Sequence, residues 1–170
     1  MSHCFLQLAT ATALCLSASA VLADQATLTI TGRMLPGTCT LAAAPTITLD
    51  PIKADELVQG DNKLKAGTLD FSGCVGVSKA MLSFTGTPAD GDAERWKNTA
   101  TTDAADGVSI ALLAGAAGST YLKNGDAGIE VVVSGATASY ALRAGYYLPA
   151  VSGVSAGAVQ TEIVVTADYE

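Results

Sequence analysis

The sequence GAVQTEIVVTADYE, residues 157–170, alternates between two kinds of side chain. Every second position carries a small, apolar or aromatic residue, with one threonine among them: Gly157, Val159, Thr161, Ile163, Val165, Ala167 and Tyr169. The positions between them are mostly polar. A period of two is typical of a β-strand that has one buried face and one solvated face. The sequence therefore predicts a half-buried strand here.

Residues 1–23 differ in kind from the rest of the chain. They contain no Asp, Glu, Lys or Arg, are largely apolar and end in Val21-Leu22-Ala23. These features are typical of a secretory signal peptide, and we predict cleavage after Ala23, with Ala18-Ser19-Ala20 as an alternative site. A membrane anchor is the competing interpretation, but Gln, Thr and Ser interrupt the apolar run, which barely reaches spanning length. We expect a mature chain without a membrane span.

Charge and histidine content exclude several functions. The 170 residues include 9 Lys and Arg against 16 Asp and Glu, for a net charge of −7, and no basic cluster occurs. Nucleic acid and anionic membranes are therefore not expected as partners. The only histidine, His3, lies in the predicted signal peptide. Histidine-dependent catalysis and His-ligated metal sites are excluded from the mature chain, and we expect no enzyme activity, cofactor or metal.

Cys39 and Cys74 are the two cysteines that remain after the predicted cleavage. A secreted protein enters an oxidising compartment, so we expect these cysteines to form one disulfide. Closing the loop between them would stabilise the fold by about 3 to 4 kcal/mol if the effect is on chain entropy.

A second alternating segment lies within residues 24–38, and its small and apolar face carries Ala26, Leu28, Ile30, Gly32 and Met34. From the pattern alone it would be the first strand of a sandwich. Short strand-like runs follow at residues 46–50, 68–71, 79–84, 108–113, 120–122, 129–133 and 139–148. Residues 53–65 are predicted to be a connection, and residues 89–107 a long polar loop. The spacing of the runs predicts an all-β sandwich.

Several motifs resemble those of pilin subunits assembled by the chaperone-usher pathway, in the family of type 1 and P pili. The glycine at 157, the alternating strand and the penultimate Tyr169 resemble the C-terminal signature of the family. Cys39 and the run Phe71-Ser72-Gly73-Cys74 stand where the family has its disulfide, and Phe84-Thr85-Gly86 resembles its Phe-x-Gly element. Residues 142–147 are similar to its Phe-x-Ala-Arg-Tyr run, with Gly145 in place of the arginine.

The resemblance implies an incomplete immunoglobulin-like β-sandwich that is completed by a donor strand from another subunit. Residues 24–38 would be the donor-strand extension, with Ala26, Leu28, Ile30, Gly32 and Met34 inserted into the neighbour, and residues 39–170 the pilin domain. The face that carries Gly157, Val159, Thr161, Ile163, Val165, Ala167 and Tyr169 would line the acceptor groove and meet a chaperone.

The function implied by the resemblance is that of a structural subunit of a surface fimbrium, exported through the periplasm and serving cell adhesion. The implied partners are a periplasmic chaperone, an outer-membrane usher and neighbouring pilin subunits. A tip adhesin is not expected, because the length leaves no room for a lectin domain in front of the pilin domain.

The alternative is a complete, monomeric immunoglobulin-like secreted module that binds a ligand or carbohydrate through Trp96 and the acidic loop 90–94. That loop is not an EF-hand, because Arg95 and Thr101 occupy the positions that need glycine and glutamate. We expect a packing role for the tyrosines at 140, 146 and 147.

Overall fold

The structure is a computed structural model that describes residues 29–35, 37–42, 45–150 and 153–170. The predicted signal peptide and the predicted donor residues Ala26 and Leu28 lie outside the described residues. The chain divides into two compact units, residues 1–33 and residues 34–170. The strands described below all belong to the second unit.

The described residues form nine β-strands and one turn of 3₁₀ helix. The strands are β1 (Thr40–Leu41), β2 (Gly60–Ser72), β3 (Lys79–Gly86), β4 (Pro88–Ala89), β5 (Asp92–Trp96), β6 (Ser109–Ala114), β7 (Ile129–Val132), β8 (Thr137–Leu148) and β9 (Ile163–Tyr169). The 3₁₀ helix is Ala54–Glu56.

The strands build two antiparallel sheets. The larger has the order β1-β2-β8-β6-β5-β4, and the smaller has the order β7-β3-β9. Inward residues of both sheets form one core, in which Leu69 and Phe71 of β2 meet Leu82 and Phe84 of β3. Two sheets that bury alternate residues against each other make a β-sandwich of the immunoglobulin type. The predicted all-β sandwich is confirmed.

Trp96 lies in the centre of this core. It is 0 % exposed, and its indole Nε1 donates a hydrogen bond to the carbonyl oxygen of Leu122 at 2.8 Å. Gly86 leaves space for the ring, since a Cβ at this position would lie 2.8 Å from Cζ3 of Trp96. A buried tryptophan with its N–H satisfied is a packing residue. The hypothesis that Trp96 offers a sugar-binding surface is therefore wrong.

The sequence-based boundaries are wrong in five places. The strand predicted over residues 157–170 begins only at Ile163, because residues 158 and 160 are bonded to the loop after β5 and not to β3. β2 begins at Gly60, inside the predicted connection 53–65. β5 lies inside the predicted loop 89–107, and β4 ends at the first residue of that loop. Most charged residues of both regions are exposed, although Arg95 is buried. Pairing with β8 and β6 is what makes these regions strands. Residues 120–122 contribute only an isolated bridge, from Tyr121 to Leu113. Residues 46–50 form no strand.

A β-bulge in β2 explains the glycine at 145. The pairing of β2 with β8 shifts register between Asn62 and Lys65, and Lys63 adopts a φ of 49°. Gly145 is buried against the bulge, where a Cβ would lie 2.6 Å from the carbonyl oxygen of Asn62. The departure from the family motif at this position therefore accommodates the bulge.

Gly145→Ala should lower the free energy of unfolding by about 1 to 3 kcal/mol, because the new methyl group meets backbone that cannot swing aside. Urea unfolding followed by the fluorescence of Trp96 measures it. Gly32→Ala is the matched control: the space around its Cβ position is open, and we expect a change within about 0.5 kcal/mol. Equal stability of the two variants would contradict the role given to Gly145.

Candidate functional site

β9 is an edge strand of the smaller sheet. It pairs with β3 on one side and with no strand of the described residues on the other. Glu170 and Lys79 exchange both backbone hydrogen bonds, at 3.0 and 3.2 Å. Bonded and non-bonded pairs alternate in an antiparallel ladder, so residues 163, 165, 167 and 169 point their N–H and C=O groups away from β3. The open edge is a row of backbone donors and acceptors that a further strand could use.

The same four residues face the core, yet none of them is buried. Ile163, Val165, Ala167 and Tyr169 are only half-buried. On the neighbouring strand β3, the inward residues Ala80, Leu82 and Phe84 are all 0 % exposed. The difference arises because, among the described strands, β3 has a neighbour on each side and β9 has one. The core is therefore incomplete along this edge.

Residues 45–49 face β9 across the gap. Ile47 and Leu49 are half-buried and alternate with exposed Thr46 and Thr48, which is the burial pattern of a strand. Among the described residues, however, no backbone hydrogen bond reaches this segment. It has the extended pattern of a strand and lacks a ladder partner.

An apolar groove of about 780 Å³ lies between these two walls. We call it the edge groove. Its floor is formed by core residues: Leu69, Phe84, Ile110, Leu112, Leu142 and Ala144. A second pocket of about 240 Å³ adjoins it at Leu49, Tyr146 and Val159, and reaches Gly157.

The structure brings most of the predicted acceptor residues to this groove. Val159, Thr161, Ile163 and Val165 line the edge groove itself. Ala167 and Tyr169 pack against the core without lining the groove. Gly157 lines the adjoining pocket and has a second role: a Cβ there would collide with the carbonyl oxygen of Asp103 and lie 2.5 Å from the amide nitrogen of Ala105. The glycine lets the loop at 103–105 come close.

The described part of the predicted donor segment is exposed. Ile30 is 85 % and Met34 is 93 % exposed, and the space around Gly32 is open. Large apolar side chains at such exposure are unusual when they occur together. The donor role of these residues stays a prediction.

Cys39 and Cys74 are joined by a disulfide next to the start of β1. Gly37 N–H donates to the carbonyl oxygen of Gly76, and Val75 N–H donates to that of Thr38, both at 3.3 Å. A Cβ on Gly37 would collide with the carbonyl oxygen of Val75. Residues 37–39 are therefore fixed to the turn between β2 and β3.

Sequence reasoning did not identify residues 45–49 as the second wall of the groove, nor Tyr146 as a residue that lines it. The alternation at 46–50 was a usable signal, but nothing in it distinguishes a groove wall from an ordinary strand. Tyr146 lines both cavities, and its hydroxyl donates to the carbonyl oxygen of Asp50 at 3.2 Å. Burial, and to a smaller extent the charge of Asp50, raise the pKa of Tyr146, so the hydroxyl remains a donor.

The other predicted packing tyrosines have different surroundings. Tyr140 is half-buried against the core. The guanidinium of Arg95 packs against two aromatic rings: its Cζ lies 4.0 Å from the ring centroid of Tyr147 and 3.3 Å from that of Tyr121. This cation–π stack stabilises the outer face of the larger sheet, away from the edge groove.

A sandwich whose core is open along one strand edge defines a class of protein: a subunit that another strand must complete. Residues 25–170 match the family model described as "Fimbrial protein". The chain belongs to this family and is a structural fimbrial subunit of the chaperone-usher type, which places it in a surface pilus. No curated protein matches the chain.

Solved structures share the fold. The P pilus rod subunit PapA is 17 % identical over 78 % of this chain and 99 % of its own, with a TM-score of 0.63. A subunit of a chaperone-usher pilus is 16 % identical over 90 % of this chain and 100 % of its own, with a TM-score of 0.64. An antigen and type I fimbria protein from Burkholderia pseudomallei is 19 % identical over 79 % of this chain and 90 % of its own, with a TM-score of 0.59.

Within the part of the chain that the structure describes, no cluster of three or more His, Cys, Asp or Glu side chains could hold a metal ion. Nor does any helix in these ranges have the length and apolar character needed to cross a membrane.

Thr161→Val should raise the free energy of unfolding by about 1 kcal/mol, because its Oγ1 is buried without a hydrogen-bond partner among the described residues. Thermal or urea unfolding measures the change. Thr166→Val, at an exposed position of β9, is the matched control and should change stability by less than about 0.5 kcal/mol. A loss of stability in Thr161→Val would mean that the hydroxyl does have a partner.

Proposed function

We propose that the edge groove accepts the N-terminal extension of a second subunit, so that the chain polymerises by donor-strand exchange into a fimbrium that serves cell adhesion. Residues 24–38 act as the donor extension and residues 39–170 as the pilin domain. The observation that carries the proposal is the half-burial of the core-facing residues of β9 beside a strand, β3, whose inward residues are fully buried.

Backbone pairing supplies the first part of the interface. A strand laid along β9 satisfies the N–H and C=O groups of residues 163, 165, 167 and 169, each bond contributing about 0.5 to 1.5 kcal/mol net. Complexes between chaperones and pilins are themselves a recognised case of such strand addition. Pairing of this kind fixes the strand in place but is almost independent of sequence.

Side chains supply the second part and set the register. Leu28, Ile30 and Met34 each contribute roughly 1.5 to 3 kcal/mol when they leave water for the groove. The alternate positions of the segment include Thr27, Thr29 and Thr31, which then face outward. A slip by one residue would turn these hydroxyl groups into the apolar floor, so one register is favoured.

The open edge also explains the need for assembly partners. An unpaired strand beside an uncovered apolar groove favours aggregation. A periplasmic chaperone that fills the edge groove after export prevents this, and an outer-membrane usher exchanges it for the next subunit. Residues 1–23 serve as the signal peptide for that export. Neighbouring pilin subunits are the lasting partners.

Deleting residues 24–36 should abolish polymers that resist detergent at room temperature, because the donor is gone while the groove remains. A synthetic peptide of residues 24–36 should stabilise the deletion variant, by about 2.7 kcal/mol at a peptide concentration 100 times its Kd. Gel ladders and thermal unfolding measure the two effects.

The matched control is the same peptide with Ile30→Asp. It should bind about tenfold more weakly or worse, since it puts a charge where an isoleucine side chain would be buried. A full chain that stays monomeric, with a stability that neither the deletion nor the peptide changes, would contradict the proposed function.

A further inference from the structure

We propose that Asn98 is a positioning residue of the edge groove, whose side-chain amide holds residues 158–160 in place so that Val159 lines the groove. The inference rests on the proposed function. It concerns a residue in the loop after β5, outside both the predicted donor and the predicted acceptor segments.

The groove wall that includes β9 and the residues before it is held by different contacts in its two halves. Residues 163–169 are held by the ladder with β3. Before Ile163 the wall is held by the loop after β5: Ala105 N–H donates to the carbonyl oxygen of Ala158 at 3.0 Å, and Thr99 N–H donates to that of Gln160 at 2.7 Å. The first half of the wall therefore depends on a loop and not on a sheet.

The side-chain amide of Asn98 joins this loop to the wall and uses both of its N–H donors and both acceptor sites of its oxygen. Nδ2 donates to the carbonyl oxygens of Ala105 at 3.0 Å and Ala158 at 2.9 Å. Oδ1 accepts from the backbone N–H of Gln160 at 2.9 Å and of Ala100 at 3.2 Å. Two donors and two acceptor sites are what a primary amide provides. A carboxylate of the same shape would face two carbonyl oxygens without a proton to donate.

Asn98 acts on the groove only through these contacts. It is bonded to residues 158 and 160, the two neighbours of Val159, and Val159 is a residue that the edge groove and the adjoining pocket share. Asn98 itself lines neither cavity. Releasing the amide would move the wall at the point where the two cavities meet, and an inserted strand would lose its contact there.

The test uses monomeric full chain, separated from its polymers by size-exclusion chromatography, and a labelled peptide of residues 24–36, with binding followed by fluorescence anisotropy. Asn98→Asp should weaken peptide binding about tenfold, because two amide donors are lost and a charge is placed against carbonyl oxygens. Near-ultraviolet circular dichroism confirms that the fraction folded is that of the native chain. Peptide affinity equal to that of the native chain would overturn the inference.

Asn62→Asp is the matched control. The Asn62 amide donates to the carbonyl oxygens of Val58 and Gly60, and neither residue lines the groove or its adjoining pocket. This variant should bind the peptide as the native chain does. An equal loss of affinity in both variants would mean general loosening of the fold and would overturn the positioning role.

Double-mutant cycles test whether the loss of peptide affinity in Asn98→Asp arises at Val159. Asn98→Asp should have little further effect on affinity when Val159→Ala is already present, whereas its effect should add to that of Val165→Ala at the other end of the wall. Independent effects in both cycles would overturn the inference.

If Asn98→Asp does not fold, Asn98→Ala replaces it. This change removes the four side-chain hydrogen bonds without adding a charge, and an unchanged affinity would again overturn the inference. A native chain that neither takes up the peptide nor forms detergent-resistant polymers would instead contradict the proposed function, so the two failures are distinguishable.

Discussion

The outer edge of β9, which no other described strand pairs with, is the constraint on which the rest of this subunit depends. A strand with ladder bonds on one side only cannot bury its inward side chains, and Ile163 and Val165 show the result. Immunoglobulin-like sandwiches normally cover such a position with a strand of their own. Here the floor of the gap is already formed by well-packed core residues, while the two walls remain apart. The domain is folded and still has room for one more strand.

The two walls are stabilised in different ways. β9 is fixed to β3 over seven residues, and the stretch before it is fixed to the loop after β5 by Asn98 and Thr99. The facing segment 45–49 has no ladder of its own among the described residues. We expect this second wall to gain most from an inserted strand, because an extended segment without backbone partners is stabilised once those partners arrive.

Sequence reasoning predicts the parts of the fold that depend on local pattern. The alternation in residues 157–170 predicts β9, and the count of cysteines predicts the disulfide. The bulge beneath Gly145, the burial of Trp96 and the amide contacts of Asn98 could not be predicted, because each depends on which strand or loop lies opposite. Trp96 stands between Arg95 and Lys97, a polar setting that favours a surface loop until the ring is seen to fill the core.

The fixed connection at Gly37 has a mechanical consequence. If the residues before it are held in another subunit, tension along a fibre enters this domain at residues 37–39. From there the load passes through the disulfide and the β1–β2 ladder straight into the larger sheet. The weakly bonded segment 45–49 lies beyond the crosslink in the chain and is shielded from the pull. In that arrangement, the Cys39–Cys74 disulfide at the point of load lets a subunit with an open groove transmit force without unfolding.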